Sequence, residues 1–459
     1  MADLISVGLD VGTTTTQLIL SRLKVENKAS SFAVPEMAIT DREILYRSPV
    51  IFTPLKNHQL VDGDAIARWV GEEYEKAGVE RRQVDTGAII ITGETSRKEN
   101  AREALRALSD YAGEFVVATA GPDLESVLAA KGAGAEEASL EEEQPILHMD
   151  IGGGTSNLAL LQKGKVVATG CLNVGGRLLK FDDSGKITYV SPVLTGLTHL
   201  QVGQKPSPQQ LAELAQMLTR GLEMAAGLIP ATDLLEKLWT KECGPVWKLP
   251  TEQPMVSFSG GVADCIEKAL EGNAFGDMGP YLGQAIRQSL LCKNRYLLGR
   301  ETIRATVIGA GCHSTQLSGS TVFCRNVELP VKNLPVVTIT AQEQAAEDLP
   351  AIIREKGRKQ DSEQVILALP GFPSARYDTV KNLAKKLSEA AGGGNLYLCL
   401  EQDMAKALGH CLCLQDPAPS ACLCIDGLHL REGDFLDVGQ PVGPALPVVI
   451  KTLILSKEG

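Results

Sequence analysis

Two stretches of the 459-residue chain carry the same pattern of apolar and polar positions. In GLDVGTTTTQLIL (residues 8–20) and HMDIGGGTSNLAL (148–160), a short apolar run ends in an aspartate, a turn of glycine and threonine follows, and a second apolar run leads away. Laid over each other without a gap, they align Asp10 with Asp150, Gly12 with Gly152, Thr15 with Thr155 and Gln17 with Asn157, while Leu18 and Leu20 fall on Leu158 and Leu160. Apolar runs of this length bounded by turn residues predict strands over Leu4–Asp10, Gln17–Leu23, Ile146–Asp150 and Asn157–Leu161. Each copy is therefore expected to be a β-hairpin with an acid at its mouth.

Between the copies, the pattern predicts an irregular stretch around Pro35–Pro54, a helix over Gly63–Ala77, a strand over Ala88–Thr92, an amphipathic helix over Arg97–Ala112 and a short strand over Phe115–Ala118. AGPDLESVLAAKGAGAEEASLEEEQ then reads as a buried helix starting near Asp123, followed by an acidic, solvated connector. Beyond the second hairpin come a strand over Val166–Gly170, the turn LNVGGRLL with Gly175 and Gly176, and an amphipathic helix over Gln209–Ala226. PMVSFSGGVADCIEKAL reads as a strand over Met255–Ser259, a Gly260–Gly261 turn and a helix from about Ala263. From about residue 330 the rhythm becomes β-α-β-α: strands at Pro335–Thr340, Gln364–Leu369 and Leu396–Leu400, helices at Ala341–Lys356 and Tyr377–Ala391, then strands near Ala421–Ile425 and Val448–Leu455. These breaks divide the chain into units 1–130, 146–330 and 331–459 with an acidic connector 131–145, all of the α/β class.

A formal charge of −11, with no cluster of lysine and arginine, argues against nucleic acid or an anionic membrane as the main partner. No basic region precedes an apolar run at the N-terminus and no run of eighteen apolar residues occurs, so a cytoplasmic chain without a membrane span is expected. The eleven cysteines are then thiols. His410-Cys411-Leu-Cys413 and Cys422-Leu-Cys424, with His429 nearby, have the wrong spacing for a zinc knuckle, and CLCL and CLCI read as buried strands in which cysteine is a small hydrophobe.

The repeated turn is what points to chemistry. Glycine brings backbone N–H groups up to a bound anion with no Cβ in the way, and the hydroxyls of Thr13, Thr14, Thr155 and Ser156 add donors. A carboxylate beside a phosphate is repulsive unless a cation lies between, so Asp10 and Asp150 are candidate holders of Mg²⁺, through water. Either turn alone would pass for an ordinary hairpin; the repetition argues otherwise. The Gly260–Gly261 pair suits close approach of a ligand to a helix N-terminus. His148 lies on the same face of its strand as Asp150 but has no partner visible in sequence, and GAGCHS (309–314) reads as a helix or turn beneath the Gly260–Gly261 turn. P-loop, G-x-S-x-G and H-E-x-x-H patterns are missing from the sequence.

The two acid-mouthed hairpins, the helix before the second and the strand–GG–helix after it resemble the phosphate-1, connecting, phosphate-2 and adenosine motifs of the actin, Hsp70 and sugar-kinase superfamily. They cover residues 8–20, 119–134, 148–160 and 255–270 in that order. The resemblance implies two ribonuclease-H-like domains facing each other across a cleft that holds ATP and Mg²⁺. Asp10 and Asp150 would flank the metal, Gly12–Thr15 and Gly152, Gly153, Gly154 and Thr155 would clasp the phosphates, Gly175 and Gly176 would lie near the ribose and phosphates, and Gly260 and Gly261 would border adenosine. The Hsp70 connecting helix opens with Glu-Pro-Thr, whereas here the proline follows Gly121; by spacing to Gly132 and Gly134, the water-orienting role passes to Glu125, with Asp123 second. Within the superfamily, ITGETSRKENA (91–101), FGDMGPYLGQAI (275–286) and GDFLDVGQPVGPALPVVIKTLIL (433–455) resemble the reactivating factors of ethanolamine ammonia-lyase. Such a factor is implied to spend ATP to expel damaged cobalamin from that lyase so that adenosylcobalamin rebinds, in the cytoplasm or within a bacterial microcompartment, with a homodimer left open. A small-molecule kinase and an actin-like scaffold are the competing readings.

Overall fold

The computed structural model describes residues 2–12, 15–27, 37–57, 60–91, 116–119, 122–247, 253–268, 274–313, 315–318, 321–358, 364–373, 376–432, 434–441 and 446–452. The helix expected over Arg97–Ala112 and the candidates Thr13 and Thr14 lie outside these residues.

Three sheets organise the chain. The first contains β1 (Ala2–Val11), β2 (Thr15–Asn27), β3 (Met37–Arg47), β4 (Ile51–Phe52), β7 (Thr86–Ile91) and β8 (Val116–Thr119), in the order β3-β2-β1-β7-β8 with β4 beside β2. A small hairpin, β5 (Leu55–Asn57) and β6 (Leu60–Val61), leads into the helix Gly63–Ala77. Of its neighbours, β1 is antiparallel to β2 and parallel to β7. The second sheet contains β9 (Ile146–Ile151), β10 (Ser156–Gln162), β11 (Lys165–Leu172), β14 (Met255–Ser259) and β15 (Leu297–Leu298), in the order β11-β10-β9-β14-β15, with the hairpin β12 (Leu179–Phe181) and β13 (Ile187–Val190) apart. Again the first two strands are antiparallel and the fourth is parallel to the first. Both sheets thus follow the order 3-2-1-4-5 with the second strand reversed, which is the ribonuclease-H-like topology. All residues of β9 and of β14 are buried, the polar His148, Asp150, Ser257 and Ser259 among them.

Each sheet sends a helix to the other. The helix Pro122–Gly132 follows β8 of the first sheet and packs on β9, β10 and β11 of the second. The helix Ala305–His313 follows β15 of the second sheet and packs on β1, β2 and β7 of the first. The two helices cross backbone to backbone: a Cβ on Gly132 would overlap the carbonyl oxygen of Ala305, and one on Gly309 that of Leu128. Residues 309–313 of GAGCHS therefore belong to a helix on the first sheet, not beneath the Gly260–Gly261 turn as the sequence suggests.

The third sheet runs β16 (Thr315–Leu317), β23 (Pro447–Thr452), β22 (Asp434–Val438), β18 (Val331–Thr338), β19 (Ile366–Leu369), β20 (Leu396–Leu400), β21 (Cys422–Asp426) and β17 (Phe323–Arg325). Its β18 to β21 core is parallel. The helices Leu349–Arg358, Tyr377–Ala391 and Ala405–Cys413 cover one face through Leu349, Leu383, Leu387, Leu408 and Leu412. Four local expectations fail here. The helix expected over Ala341–Lys356 is two, Ala341–Ala345 and Leu349–Arg358. The stretch before Pro54 contains β3, whose sequence MAITDREILYR is too polar to read as a strand because β3 is an exposed edge of the sheet. The acidic connector holds a helix, Ala135–Glu141, which buries Ala135 and Ser139. CLCL (411–414) ends the helix Ala405–Cys413 and only CLCI is a strand.

The helix crossing gives a direct stability contrast. Gly132→Ala places a methyl against an immovable carbonyl and is expected to destabilise the protein by about 2–4 kcal/mol. Gly71→Ala, in the helix Gly63–Ala77 with open space around its Cβ, is expected to stabilise by about 0.5–1 kcal/mol. Urea unfolding of both variants checks the pair.

Candidate nucleotide site

The two hairpins close in the same way. Gly12 N–H donates to the Thr15 carbonyl and Gly152 N–H to the Thr155 carbonyl, both at 2.9 Å. Asp10 faces Gln17 across the first hairpin, and Asp150 faces Asn157 across the second. Thr53 supports the first turn, with its hydroxyl donating to the Gly12 carbonyl at 2.8 Å.

Around the second turn, several segments converge. Gly176 N–H donates to the Gly152 carbonyl at 3.0 Å and Arg177 N–H to the Gly153 carbonyl at 2.6 Å. A Cβ on Gly175 would overlap the carbonyl of Gly153, so only glycine permits this approach. Gly260 adopts φ +85°, and Val262 N–H donates to the Ile151 carbonyl at 3.1 Å, pinning the Gly260–Gly261 turn against the end of β9. Among the described atoms, nothing lies within 4 Å of a Cβ built on Gly154 or Gly261. Packing therefore does not require glycine at these two positions, and both leave room for a ligand.

Asp150 is held by hydroxyls. Ser259 Oγ donates to Oδ1 at 2.5 Å and Thr306 Oγ1 to Oδ2 at 3.4 Å. Burial pushes its pKa up to about 6, with both hydrogen bonds pulling the other way. His148 completes a chain: its Nε2 lies 2.9 Å from Ser259 Oγ and its Nδ1 3.1 Å from Ser257 Oγ. Because Ser259 donates to Asp150, it accepts from Nε2–H, and Nδ1 accepts from Ser257. Burial drops the His148 pKa to about 3, so the ring stays neutral and acts as a structural link. On the first sheet the residue matching Ser259 is Ile90, the β7 partner of Asp10, so the two carboxylates have different surroundings.

The hairpins meet through residues 303–306. Gln17 Nε2 donates to the Ile303 carbonyl at 2.9 Å, and Thr306 reaches Asp150. Gln17 Oε1 and Asn157 Oδ1, in matching positions beside the two aspartates, are buried acceptors with no hydrogen-bond donor among the described residues. Each aspartate thus has beside it an amide oxygen without a donor, and carboxylate and amide oxygens are the ligand types that suit Mg²⁺. Sequence aligned Gln17 with Asn157 but gave no reason to select either, and it missed Ser259 and Thr306 because their roles depend on pairing between strands and helices remote in sequence.

Glu125 lies in the first turn of the helix Pro122–Gly132, half-buried. Its charge adds to the shift of Cys171, whose thiol is raised well above its usual pKa first by its hydrogen bond to Cys243 and then by burial. Cys171 faces Asn157 and Asn157 faces Asp150, a row across the second sheet that ends at the acid. Asp123 is engaged elsewhere, accepting from Thr169 Oγ1 at 2.6 Å.

Two ribonuclease-H-like sheets joined by exchanged helices, with an acid–glycine turn from each, define an actin- and Hsp70-type fold. The family described as "Ethanolamine utilisation protein EutA" matches residues 2–456, and the chain belongs to it. The ethanolamine ammonia-lyase reactivase EutA of Escherichia coli is 38% identical over 463 residues, with 98% of each chain covered. Its counterpart from Salmonella typhimurium is 36% identical over 462 residues, again covering 98% of each. Among solved structures, an Aquifex aeolicus PPX-GPPA enzyme aligns with 67% of this chain and 99% of its own at 13% identity and a TM-score of 0.43. The ethanolamine utilization protein EutJ of Carboxydothermus hydrogenoformans aligns with 67% of this chain and 88% of its own at 19% identity and a TM-score of 0.32.

The raised pKa of Asp150 sets a pH-dependent prediction. Folding favours its protonated form, so its contribution to stability is present in acid and lost as pH rises through about 6. Asp150→Asn is expected to stabilise the nucleotide-free protein at pH 7.5 by about 1–3 kcal/mol, a gain that shrinks below pH 6. Urea midpoints measured from pH 5 to 8 test both magnitude and sign.

Proposed function

We propose that this chain is an ATP-dependent reactivating factor for ethanolamine ammonia-lyase, which frees the lyase of damaged cobalamin so that adenosylcobalamin rebinds. What carries the reading is the end-to-end match to two reactivases of that lyase, at 38% and 36% identity, combined with paired acid–glycine turns on facing sheets. The phosphates of ATP would be bound by the backbone of Gly12–Thr15 and Gly152–Thr155, with Gly175 and Gly176 alongside, and adenosine would lie against Gly260 and Gly261. Asp10 and Asp150, with Gln17 and Asn157 beside them, would hold Mg²⁺, which when bound neutralises the phosphate charge. Glu125 would orient the attacking water.

Hydrolysis does work on a partner only if the states before and after it differ in affinity for that partner. Here the nucleotide state would set the angle between two sheets that share their connecting helices. The third sheet and the lyase-facing surfaces would then read that angle.

Ammonia release from cyanocobalamin-blocked ethanolamine ammonia-lyase is expected to recover when this protein, Mg²⁺, adenosylcobalamin and ATP are added together. Omitting ATP, or substituting Asp150→Ala, should abolish recovery; recovery without nucleotide would refute the ATP coupling. Glu125→Gln is expected to slow ATP hydrolysis by about 100-fold while leaving ATP affinity within about threefold, as single-turnover assays would show.

A further inference from the structure

Arg177 has a position that its role in packing does not exhaust. Its backbone is bonded to Gly153, and its Cδ, Cβ and Cγ lie 3.3, 3.5 and 3.5 Å from where a side chain on Gly153 would begin, so its stem rests on the second phosphate turn. Its Nε pairs with Asp277 Oδ2 at 3.1 Å, and Asp277 is fixed in turn by Gly279 N–H, which donates to Oδ1 at 2.8 Å. The guanidinium carbon lies 6.0 Å from the centroid of the Phe52 ring. Phe52 belongs to the other half of the molecule: it is the strand partner of Thr15, the last residue of the first phosphate turn, and its side chain is 77% exposed. The guanidinium therefore spans the mouth of the cleft from one turn to the strand beside the other.

The pairing uses only part of the arginine. Among the described residues, its terminal nitrogens have no acceptor, while Asp277 already holds the group in orientation through Nε. A fixed guanidinium with both terminal nitrogens open is suited to two parallel hydrogen bonds with a phosphate. An exposed phenylalanine facing it across a polar cleft gains little from burial, but the face of its ring attracts the cation.

We propose that Arg177 binds the terminal phosphate of a nucleoside triphosphate and so distinguishes triphosphate from diphosphate, with Phe52 orienting the guanidinium from the opposite half. This deepens the nucleotide-site reading and rests on it. A diphosphate held by the same glycine turns leaves Arg177 on Asp277 and Phe52. A triphosphate gives it a third partner and ties the two halves together at the mouth.

Calorimetric titration of the full chain with the Mg²⁺ complexes of adenylyl imidodiphosphate and ADP tests this. Arg177→Gln is expected to weaken binding of the triphosphate analogue by about 10- to 100-fold and of ADP by less than about twofold. Arg177→Lys, which keeps the charge but loses the planar fork, should fall between it and the parent. Phe52→Ala, a change at an exposed side chain, should weaken the analogue by about two- to fivefold and leave ADP unchanged. Retained ADP binding also shows that each variant is folded. Equal losses for both nucleotides, or unchanged binding of the analogue, would overturn the proposal. If the unsubstituted chain binds neither nucleotide, the failure lies in the nucleotide-site reading itself.

Discussion

The contact between the two crossing helices is the constraint on which the rest of the molecule depends. Each sheet lends a helix to the other, so the sheets cannot separate without unpacking both cores. The helices can be exchanged only if they cross at backbone distance, and Gly132 and Gly309 provide that distance. The crossing extends to β1, where Gly8 lies so close to the second helix that a Cβ would overlap the Val307 carbonyl. Because Thr306 sits one step from this contact and reaches Asp150, the geometry of the crossing and that of the acid site are parts of one arrangement.

The site is symmetric in backbone and asymmetric in chemistry. Two hairpins with matching turns present an aspartate and an amide each, yet Asp150 faces Ser259 where Asp10 faces Ile90. The hydroxyl chain through Ser257, His148 and Ser259 gives the second carboxylate a fixed orientation in an environment that otherwise disfavours its charge. The same backbone device thus recurs with different side chains around it, so the two carboxylates sit in different surroundings.

Much of this was legible in the sequence, for identifiable reasons. The hairpins, the strand Met255–Ser259 and the helices Gly63–Ala77 and Tyr377–Ala391 have boundaries set by local signals, such as a glycine after a helix or a run of residues buried on both faces. The Asp10 and Asp150 pair could be found because their turns repeat. What could not be read depends on partners far away in the chain. Ser259 and Thr306 are ordinary hydroxyls until β14 is placed beside β9, β3 is polar because it is an edge, and GAGCHS reveals its sheet only through contacts made some three hundred residues back. Cys411 and Cys422 show the limit from the other side: the same C-x-C spacing is a helix end in one and a strand in the other, since burial alone does not select a period.

The attachment of the third sheet has a mechanical meaning. Its edge strand β16 starts at Thr315, two residues after the second crossing helix ends at His313. Leu317 of that strand packs with Leu4, Leu23, Val25 and Ile39 of the first sheet, and the Thr315 hydroxyl lies 2.9 Å from that of Thr86. The third sheet is thus strapped to the first by a leash with almost no slack. In mechanical terms the molecule has two arms rather than three: the second sheet on one side of the crossing helices, and the first and third together on the other. Any rotation of the second sheet against the first would therefore be a rotation against the third as well.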